Sequence, residues 1–180
     1  IARFVRERLV PAEQQVAESD AIPDDIVADM KAMGLFGLSI PEELGGLGLT
    51  MEEEVMVAFE LGRTSPAFRS LMGTNNGIGA QGILIDGTDE QKQKYVPQLA
   101  TGEVIGAFCL TEPDVGSDSG AVKTRAEKDG DHYILNGTKR FITNGPHAGL
   151  FTVMARTNPD IPGGGGAVSY THLTLPTMLP

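Results

Sequence analysis

The chain has 180 residues, of which 41% are hydrophobic and 21% charged, values typical of a globular protein with one ordinary domain or two small ones. Its 14 basic and 24 acidic residues give a formal net charge of −10, which excludes general nucleic-acid binding because no basic excess is present to displace counterions. The single cysteine excludes an internal disulfide and fits a reducing compartment, and no apolar run approaches the ~20 residues that span a bilayer.

Residues 1–102 are predicted to form an all-α domain of five helical segments with short connections. The first segment has apolar residues at helical spacing, with an expected interruption at Pro11. The fourth is predicted to run as a helix from Pro66 to Ile85. Two segments open with capping boxes, each a threonine and a Glu or Gln three residues on: Thr50 with Glu53, and Thr88 with Gln91.

From residue 103 the pattern changes to that of β-strands, and residues 103–162 are predicted to form a β-domain. "VIGAFCLT" and "LFTVMART" are typical of strands. The dipeptides Asp129-Gly130 and Asn136-Gly137 predict two hairpin turns between alternating segments. Helices followed by strands predict an α+β fold.

Two strand ends in this β-domain carry residues suited to a flat cofactor with polar edges. In the loop "TEPDVGSDSG", Thr111 offers a hydroxyl, Gly116 permits close backbone approach, and Ser117 adds a donor. In "RFITNG", Phe141 offers a ring for stacking and Thr143 a donor before a turn. These residues predict two segments that hold the edge of one ring system.

Other patterns favour structural roles. "GIGAQG", residues 77–82, matches a dinucleotide fingerprint, but polar "RSLMGTNN" precedes it where a buried strand is required. Glu112, Asp114 and Asp118 do not fit a calcium loop and are interpreted as a solvated loop that accepts backbone N–H bonds. Cys109 is interpreted as a small buried hydrophobe. The histidines and the cysteine show no metal-ligand spacing, so no metal site is expected.

The stretch "LTEPDVGSDSGAVKTRAEKDGDHYILNGTKRFITNG" resembles the middle β-domain of the acyl-CoA dehydrogenase family. That pattern has a Thr-Glu-Pro loop, then Gly-Ser-Asp, and later Asn-Gly-x-Lys-x-aromatic-Ile-Thr-Asn. "GLFGLSIPEELGGLGLT" and "GTDEQKQKYVPQLATGE" resemble the family's N-terminal helical domain, in the same order and spacing. The resemblance implies an N-terminal all-α domain, residues 1–102, followed by a truncated middle β-barrel domain, residues 103–162.

The same resemblance implies FAD as the cofactor and an acyl-CoA thioester as the substrate. The residues that it carries into flavin binding are Phe108, Leu110, Thr111, Gly116, Ser117, Phe141, Ile142 and Thr143. Thr111 would bond the isoalloxazine edge, and Ser117 would lie between flavin and substrate. Phe141, where Trp is common in the family, would pack on the ring, and Thr143 would donate towards flavin N5.

The reaction implied is α,β-dehydrogenation to a trans-2-enoyl thioester, with hydride transfer to flavin N5 and electrons passed on to an electron-transfer flavoprotein. The helix predicted from Pro66 to Ile85 would help to wall the acyl pocket. By the same resemblance, the full-length protein is expected to be a homotetramer of the cytoplasm, or of the mitochondrial matrix in a eukaryote. The catalytic glutamate would come from a C-terminal domain, so no catalytic residue is assigned in this chain.

Residues 163–180, "GGGGAVSYTHLTLPTMLP", are predicted to be an atypical and non-native tail, because they match no family motif. Two alternatives to a dehydrogenase remain open. One is a family-derived module that binds flavin, acyl-CoA or a partner without catalysis, which the absent base favours. The other is an NAD-binding Rossmann protein, which only the glycines of residues 77–82 support.

Overall fold

The computed structural model describes residues 1–158, 160–161 and 163–171. The chain divides into two compact units, Ile1–Ile105 and Gly106–Pro180. The first is helical and the second contains a β-sheet, so the α+β prediction is confirmed. No helix among the described residues is long and apolar enough to cross a membrane.

The helical unit contains seven α-helices and a π-helical turn at Val5–Leu9: α1 Ala2–Phe4, α2 Val10–Ser19, α3 Asp24–Ala32, α4 Met51–Leu61, α5 Pro66–Asn76, α6 Gln81–Asp86 and α7 Asp89–Ala100. Both predicted capping boxes are confirmed. Thr50 and Thr88 each accept the N–H of the third helical residue, whose side chain accepts the threonine N–H in return. Reciprocal bonding satisfies backbone donors that the first turn leaves unpaired.

The interruption predicted at Pro11 is wrong, because α2 continues from Val10 to Ser19. Pro11 lies in the first turn of α2, where its missing N–H costs little. The irregularity occurs earlier, in the π-helical turn Val5–Leu9, where the Val10 N–H reaches back to the Val5 carbonyl. The wider turn allows the chain to continue into α2 through the proline.

The helix predicted from Pro66 to Ile85 is also interrupted. The structure ends α5 at Asn76, forms a turn at Gly77–Ala80, and begins α6 at Gln81. Gly77 has φ −107° and ψ −120°, which leaves the helical region. The turn that begins at Gly77 therefore divides this segment into two helices.

Two buried asparagines at the end of α5 hold the connectors of the helical unit. Asn76 Oδ1 accepts the Leu38 N–H at 2.5 Å, and its Nδ2 donates to the Leu35 carbonyl at 2.6 Å. Asn75 Nδ2 donates to the carbonyls of Leu99 and Val104 at 2.9 and 2.8 Å. These amides satisfy backbone groups of the connectors and of the last turn of α7 that burial removes from water.

The apolar core of the helical unit packs around those connectors. Its fully buried members come from the first helices, the connector after α3, and α5: Leu9, Met30, Leu35, Phe36 and Phe68. The connector thus contributes core side chains although it forms no long helix. Its Leu38 N–H and Leu35 carbonyl bond to the Asn76 side chain, which couples these hydrogen bonds to the packing.

Among its described residues, the second unit contains a five-stranded sheet with the strands β1 Gly106–Cys109, β2 Arg125–Asp129, β3 His132–Asn136, β4 Leu150–Arg156 and β5 Ala167–Thr171. The sheet order is β1-β4-β2-β3, with β5 also paired to β4. β4 runs parallel to β1 and β2 and antiparallel to β5. β5 lies in the segment predicted to be an atypical tail, and residues 172–180 of that segment lie outside the described residues.

One predicted hairpin turn is confirmed and the other is wrong. β2 and β3 pair antiparallel with Asp129 opposite His132, so the turn falls at Gly130 and Asp131. β3 ends at Asn136, and none of the described residues 137–149 belongs to a strand. A Cβ at Gly137 would lie 2.7 Å from the Cα of Thr124, so this glycine serves a close backbone approach rather than a hairpin.

We predict that Asn76→Ala lowers the free energy of unfolding by about 2–4 kcal/mol, because it leaves the Leu35 and Leu38 backbone groups buried without their partner. Urea denaturation monitored by far-UV circular dichroism measures the loss. Gln14→Ala, which removes an exposed bond to Glu18, is the control and should cost less than ~0.5 kcal/mol. Equal losses for the two variants would contradict this account of Asn76.

Candidate functional site

The first predicted cofactor segment begins in β1 and continues through a tight turn. Phe108 lies in β1, and Leu110 and Thr111 follow its end. Glu112 and Val115 then exchange backbone hydrogen bonds at 2.8 and 3.2 Å, which closes the turn. Gly116 and Ser117 follow on the exposed side, where their backbone and hydroxyl groups can contact a ligand.

The second predicted segment forms a bend, so the strand end expected there is wrong. Phe141 has φ 57° and Asn144 has φ 62°, both left-handed conformations that an extended strand does not allow. The Phe141 side chain is 79% exposed, and the Arg140 guanidinium carbon lies 4.5 Å from its ring centroid. Ile142 is half-buried, and Thr143 is exposed beside it.

The two segments adjoin within the second unit. The Arg140 N–H donates to the Thr111 carbonyl at 2.9 Å. Lys139 Nζ donates to the Leu110 carbonyl at 3.0 Å. These bonds connect the two residues before Phe141, Lys139 and Arg140, with the residues that follow β1. The predicted residues from 108–117 and 141–143 are thus held on neighbouring stretches of backbone.

Glu112 is buried, so the interpretation of its carboxylate as part of a solvated loop is wrong. It does accept backbone N–H bonds, from Lys123 at 2.7 Å and from Thr124 at 2.8 Å. The Thr124 hydroxyl donates to it at 2.5 Å, and Lys139 Nζ lies 2.9 Å away. Burial alone would raise the pKa of this carboxyl, but the bonds from Thr124, Lys139 and Lys123 lower it to about 2.

Lys139 is the residue that sequence reasoning missed. Its side chain is 12% exposed, and the side chain of Glu112 is 4% exposed. A lysine is rarely buried unless it is paired. The sequence positions of the two charged residues could have indicated this pair, because Lys139 stands two residues before Phe141 and Glu112 directly follows Thr111. An anion within the first predicted contact segment and a cation just before the second favour an ion pair that joins them.

Gly116 leaves an open space beside the first segment. A Cβ built at Gly116 would meet no described atom within 4 Å, and its φ is not positive. Neither packing nor backbone conformation of the described chain therefore requires glycine there. The uncrowded backbone at Gly116 and the exposed ring of Phe141 are compatible with contacts to a planar ligand.

The remaining polar groups near the segment do not form a metal or nucleophile site. Among the described residues, no three His, Cys, Asp or Glu side chains could together hold a metal ion. Asp114 forms an exposed ion pair with Lys123 at 2.9 Å. Burial raises the pKa of the Cys109 thiol to about 11, against a smaller opposing effect of Lys139, so the thiol stays protonated at neutral pH.

The structure also excludes a dinucleotide site at residues 77–82. The helix α5 precedes this stretch, whereas the fingerprint needs a buried strand there. A separate cleft of about 220 Å³ lies between α4 and α5, lined mainly by apolar side chains that include Val55, Leu61 and Met72. Part of the helix predicted to wall an acyl pocket therefore borders an apolar cleft.

Comparison with known proteins connects these features to a family. The model described as acyl-CoA dehydrogenase, N-terminal domain, matches residues 1–103, and the middle-domain model matches residues 107–177. An acyl-CoA dehydrogenase of Bacillus subtilis is 39% identical over 157 residues, which are 87% of this chain and 41% of that protein. The chain belongs to the acyl-CoA dehydrogenase family.

Two solved structures agree with this assignment. An acyl-CoA dehydrogenase from Geobacillus kaustophilus has a TM-score of 0.88 and 35% identity, covering 96% of this chain and 46% of that one. An acyl-CoA dehydrogenase from Bacillus anthracis, complexed with FAD, has a TM-score of 0.82 and 33% identity, covering 94% and 29%. The chain thus spans less than half the length of these relatives. The middle-domain match extends beyond the glycine run at 163–166.

We predict that Glu112→Gln lowers the free energy of unfolding by about 3 kcal/mol at pH 7, since it leaves Lys139 buried without its counter-ion. The folded-state pKa lies below the ordinary 4.5. The ionised carboxylate therefore stabilises the fold fully above about pH 4.5, and this contribution is lost as pH falls towards 2. The difference between wild type and variant should shrink accordingly in urea titrations between pH 7 and pH 3.

Asp114→Asn is the matched control, because Asp114 pairs with Lys123 in the same loop but both side chains are about 70% exposed. Its cost should stay below ~1 kcal/mol at every pH. A Glu112→Gln penalty that is equally small, or that does not change with pH, would contradict the role given to burial.

We predict that Cys109 is not alkylated by iodoacetamide at pH 8 in the folded protein, because its thiol is buried and its pKa is raised to about 11. In urea the thiol becomes accessible and its pKa returns towards the ordinary value, so alkylation becomes rapid. Mass spectrometry of timed samples measures both rates. Rapid labelling of the folded form would contradict the burial of this residue.

Proposed function

We propose that the full protein, meaning this chain with whatever sequence accompanies it in its gene, is an FAD-dependent acyl-CoA dehydrogenase. The observation that carries the proposal is the adjoining pair of segments in which the Arg140 N–H donates to the Thr111 carbonyl. Family membership and the FAD complex of the Bacillus anthracis relative support the choice of cofactor.

In this proposal each segment contributes a different kind of contact to FAD. Thr111 offers its hydroxyl to the edge of the ring system, and Gly116 leaves space for the ligand next to the backbone. Phe141 provides the exposed aromatic surface for stacking, worth about 0.5–1.5 kcal/mol beyond its buried area. Ser117 and Thr143 are exposed donors, and Phe108, Leu110 and Ile142 support the two segments from the less exposed side.

The substrate is proposed to be an acyl-CoA thioester, oxidised between its α and β carbons to a trans-2-enoyl-CoA. Bound FAD would supply the acceptor for the hydride that leaves the β-carbon. Thr143 would orient a donor towards the acceptor atom, where negative charge develops. An electron-transfer flavoprotein is the proposed acceptor of the electrons.

The α-proton must be removed by a base that no carboxylate of the described site supplies. Glu112 is occupied by Lys139, Lys123 and Thr124, and its low pKa makes it a poor proton acceptor at neutral pH. The resemblance places the base in a C-terminal domain. We therefore expect no turnover from the 180-residue chain alone, although it can contribute the flavin contacts.

The proposal is tested by purifying the full protein and recording its visible spectrum. Flavin absorbance near 450 nm is expected for any flavoprotein, and an acyl-CoA substrate should bleach it as the ring is reduced. Flavin that no acyl-CoA of varied chain length bleaches would favour a non-catalytic binding module instead. Absence of flavin, together with failure of the apoprotein to take up added FAD, would contradict the proposal.

We predict that Phe141→Asn raises the Kd for FAD about fivefold to tenfold, because it removes the stacking ring. Asparagine tolerates the left-handed conformation with φ 57°, so the stability of the apoprotein should not fall. Titration of apoprotein with FAD by fluorescence quenching measures the change. Phe59→Ala, which removes an equally exposed ring from α4, is the control and should leave the Kd unchanged.

A further inference from the structure

A buried ammonium group connects the two proposed flavin segments. Lys139 Nζ donates to the Leu110 carbonyl at 3.0 Å and to Glu112 Oε1 at 2.9 Å. Its acceptors lie on either side of Thr111, and Lys139 itself stands two residues before Phe141. The single side chain therefore bridges from the second segment to the first at the position of their predicted ring contacts.

The Glu112 carboxylate, which accepts the bond from Lys139, is also held by a third segment of the chain, residues 123–124. Lys123 and Thr124 donate their backbone N–H groups to Glu112, and the Thr124 hydroxyl adds another bond. These donors stand immediately before β2, which begins at Arg125. Because the carboxylate is anchored to the entry of a strand, its position does not depend on Lys139 alone.

The conformation of Phe141 needs support from outside its own side chain. The ring is 79% exposed, so packing against the described protein does little to fix it. Its φ of 57° is disfavoured for a bulky residue and persists only where neighbouring structure imposes it. The bonds from Lys139 and from the Arg140 N–H are the anchors directly before it.

We propose that Lys139 is a positioning residue, which holds the Leu110–Glu112 backbone and the Phe141 ring in the arrangement that receives FAD. The inference rests on the proposed flavin site and assigns a role to a residue not expected to touch the flavin. Removing the ammonium frees the Leu110 carbonyl and the Phe141 segment to change conformation. The flavin then binds more weakly and in an altered environment.

A purely structural ion pair would behave differently. Its loss would lower the stability of the fold, but FAD bound to the folded fraction would keep the wild-type affinity and spectrum. A positioning residue changes the affinity of folded apoprotein and the visible circular dichroism of bound flavin. That signal depends on the asymmetric surroundings of the ring, so it distinguishes the two roles.

The experiment compares Lys139→Met with Lys123→Met in the full protein. Lys123→Met removes the exposed ion pair with Asp114 but keeps the backbone N–H that binds Glu112. It is therefore the same substitution as Lys139→Met, made at another lysine beside Glu112. We expect Lys139→Met to raise the Kd for FAD at least tenfold and to change the visible circular dichroism spectrum. Lys123→Met should leave both unchanged, and Lys139→Arg should recover part of the affinity.

A Kd within twofold of wild type and an unchanged flavin spectrum in folded Lys139→Met would overturn the inference. If Lys139→Met does not fold, Lys139→Gln replaces it; since its amide can still donate to the Leu110 carbonyl but loses the ion pair with Glu112, a smaller rise in Kd, above twofold, is expected, and a Kd within twofold of wild type with an unchanged spectrum still overturns the inference. Wild-type protein that binds no FAD would instead refute the proposed function. The two failures are therefore distinguishable.

Discussion

The ion pair between Lys139 and Glu112 is the interaction on which the arrangement of the second unit depends. It joins the turn after β1, the entry to β2 and the bend that carries Phe141, three segments that share no ladder of strand hydrogen bonds. Two desolvated charges stabilise a structure only when their remaining hydrogen-bonding capacity is satisfied. Here the remaining capacity of Glu112 is satisfied by the backbone N–H groups of Lys123 and Thr124, and that of Lys139 by the Leu110 carbonyl.

In the helical unit, a neutral side chain satisfies backbone groups that are buried outside regular helices. Its connector after α3 is buried and contains a short 3₁₀ turn at Leu35–Gly37 rather than a long helix, so some of its backbone groups find no partner within a helix. Asn76 supplies both a donor and an acceptor to that connector, at Leu35 and Leu38. An amide does this without the desolvation cost of a charge, because it presents both functions in one neutral side chain.

In the proposed flavin site, the groups offered to the ligand are those that the framework leaves exposed. The charges of Lys139 and Glu112 are used to fix the backbone, while Gly116, Ser117, Phe141 and Thr143 remain accessible. In the proposed function, such a preorganised site would bind a planar ligand without first ordering its own loops, which saves conformational entropy. Because the Glu112 carboxylate is engaged by Lys139, Lys123 and Thr124 and its pKa is lowered, it acts as a structural anion and not as a base.

Local patterns in the sequence determined the fold class, the capped helices and the β2–β3 hairpin, and the resemblance to the family supplied the residues proposed to contact flavin. These features depend on neighbours in the chain, such as Thr50 with Glu53 or the turn at Gly130. Only the tertiary structure decided that Gly137 makes a close approach to Thr124, that the chain bends at Phe141, and that Glu112 is buried against Lys139. Each of these depends on groups distant in sequence, because desolvation and close packing arise only when the segments meet.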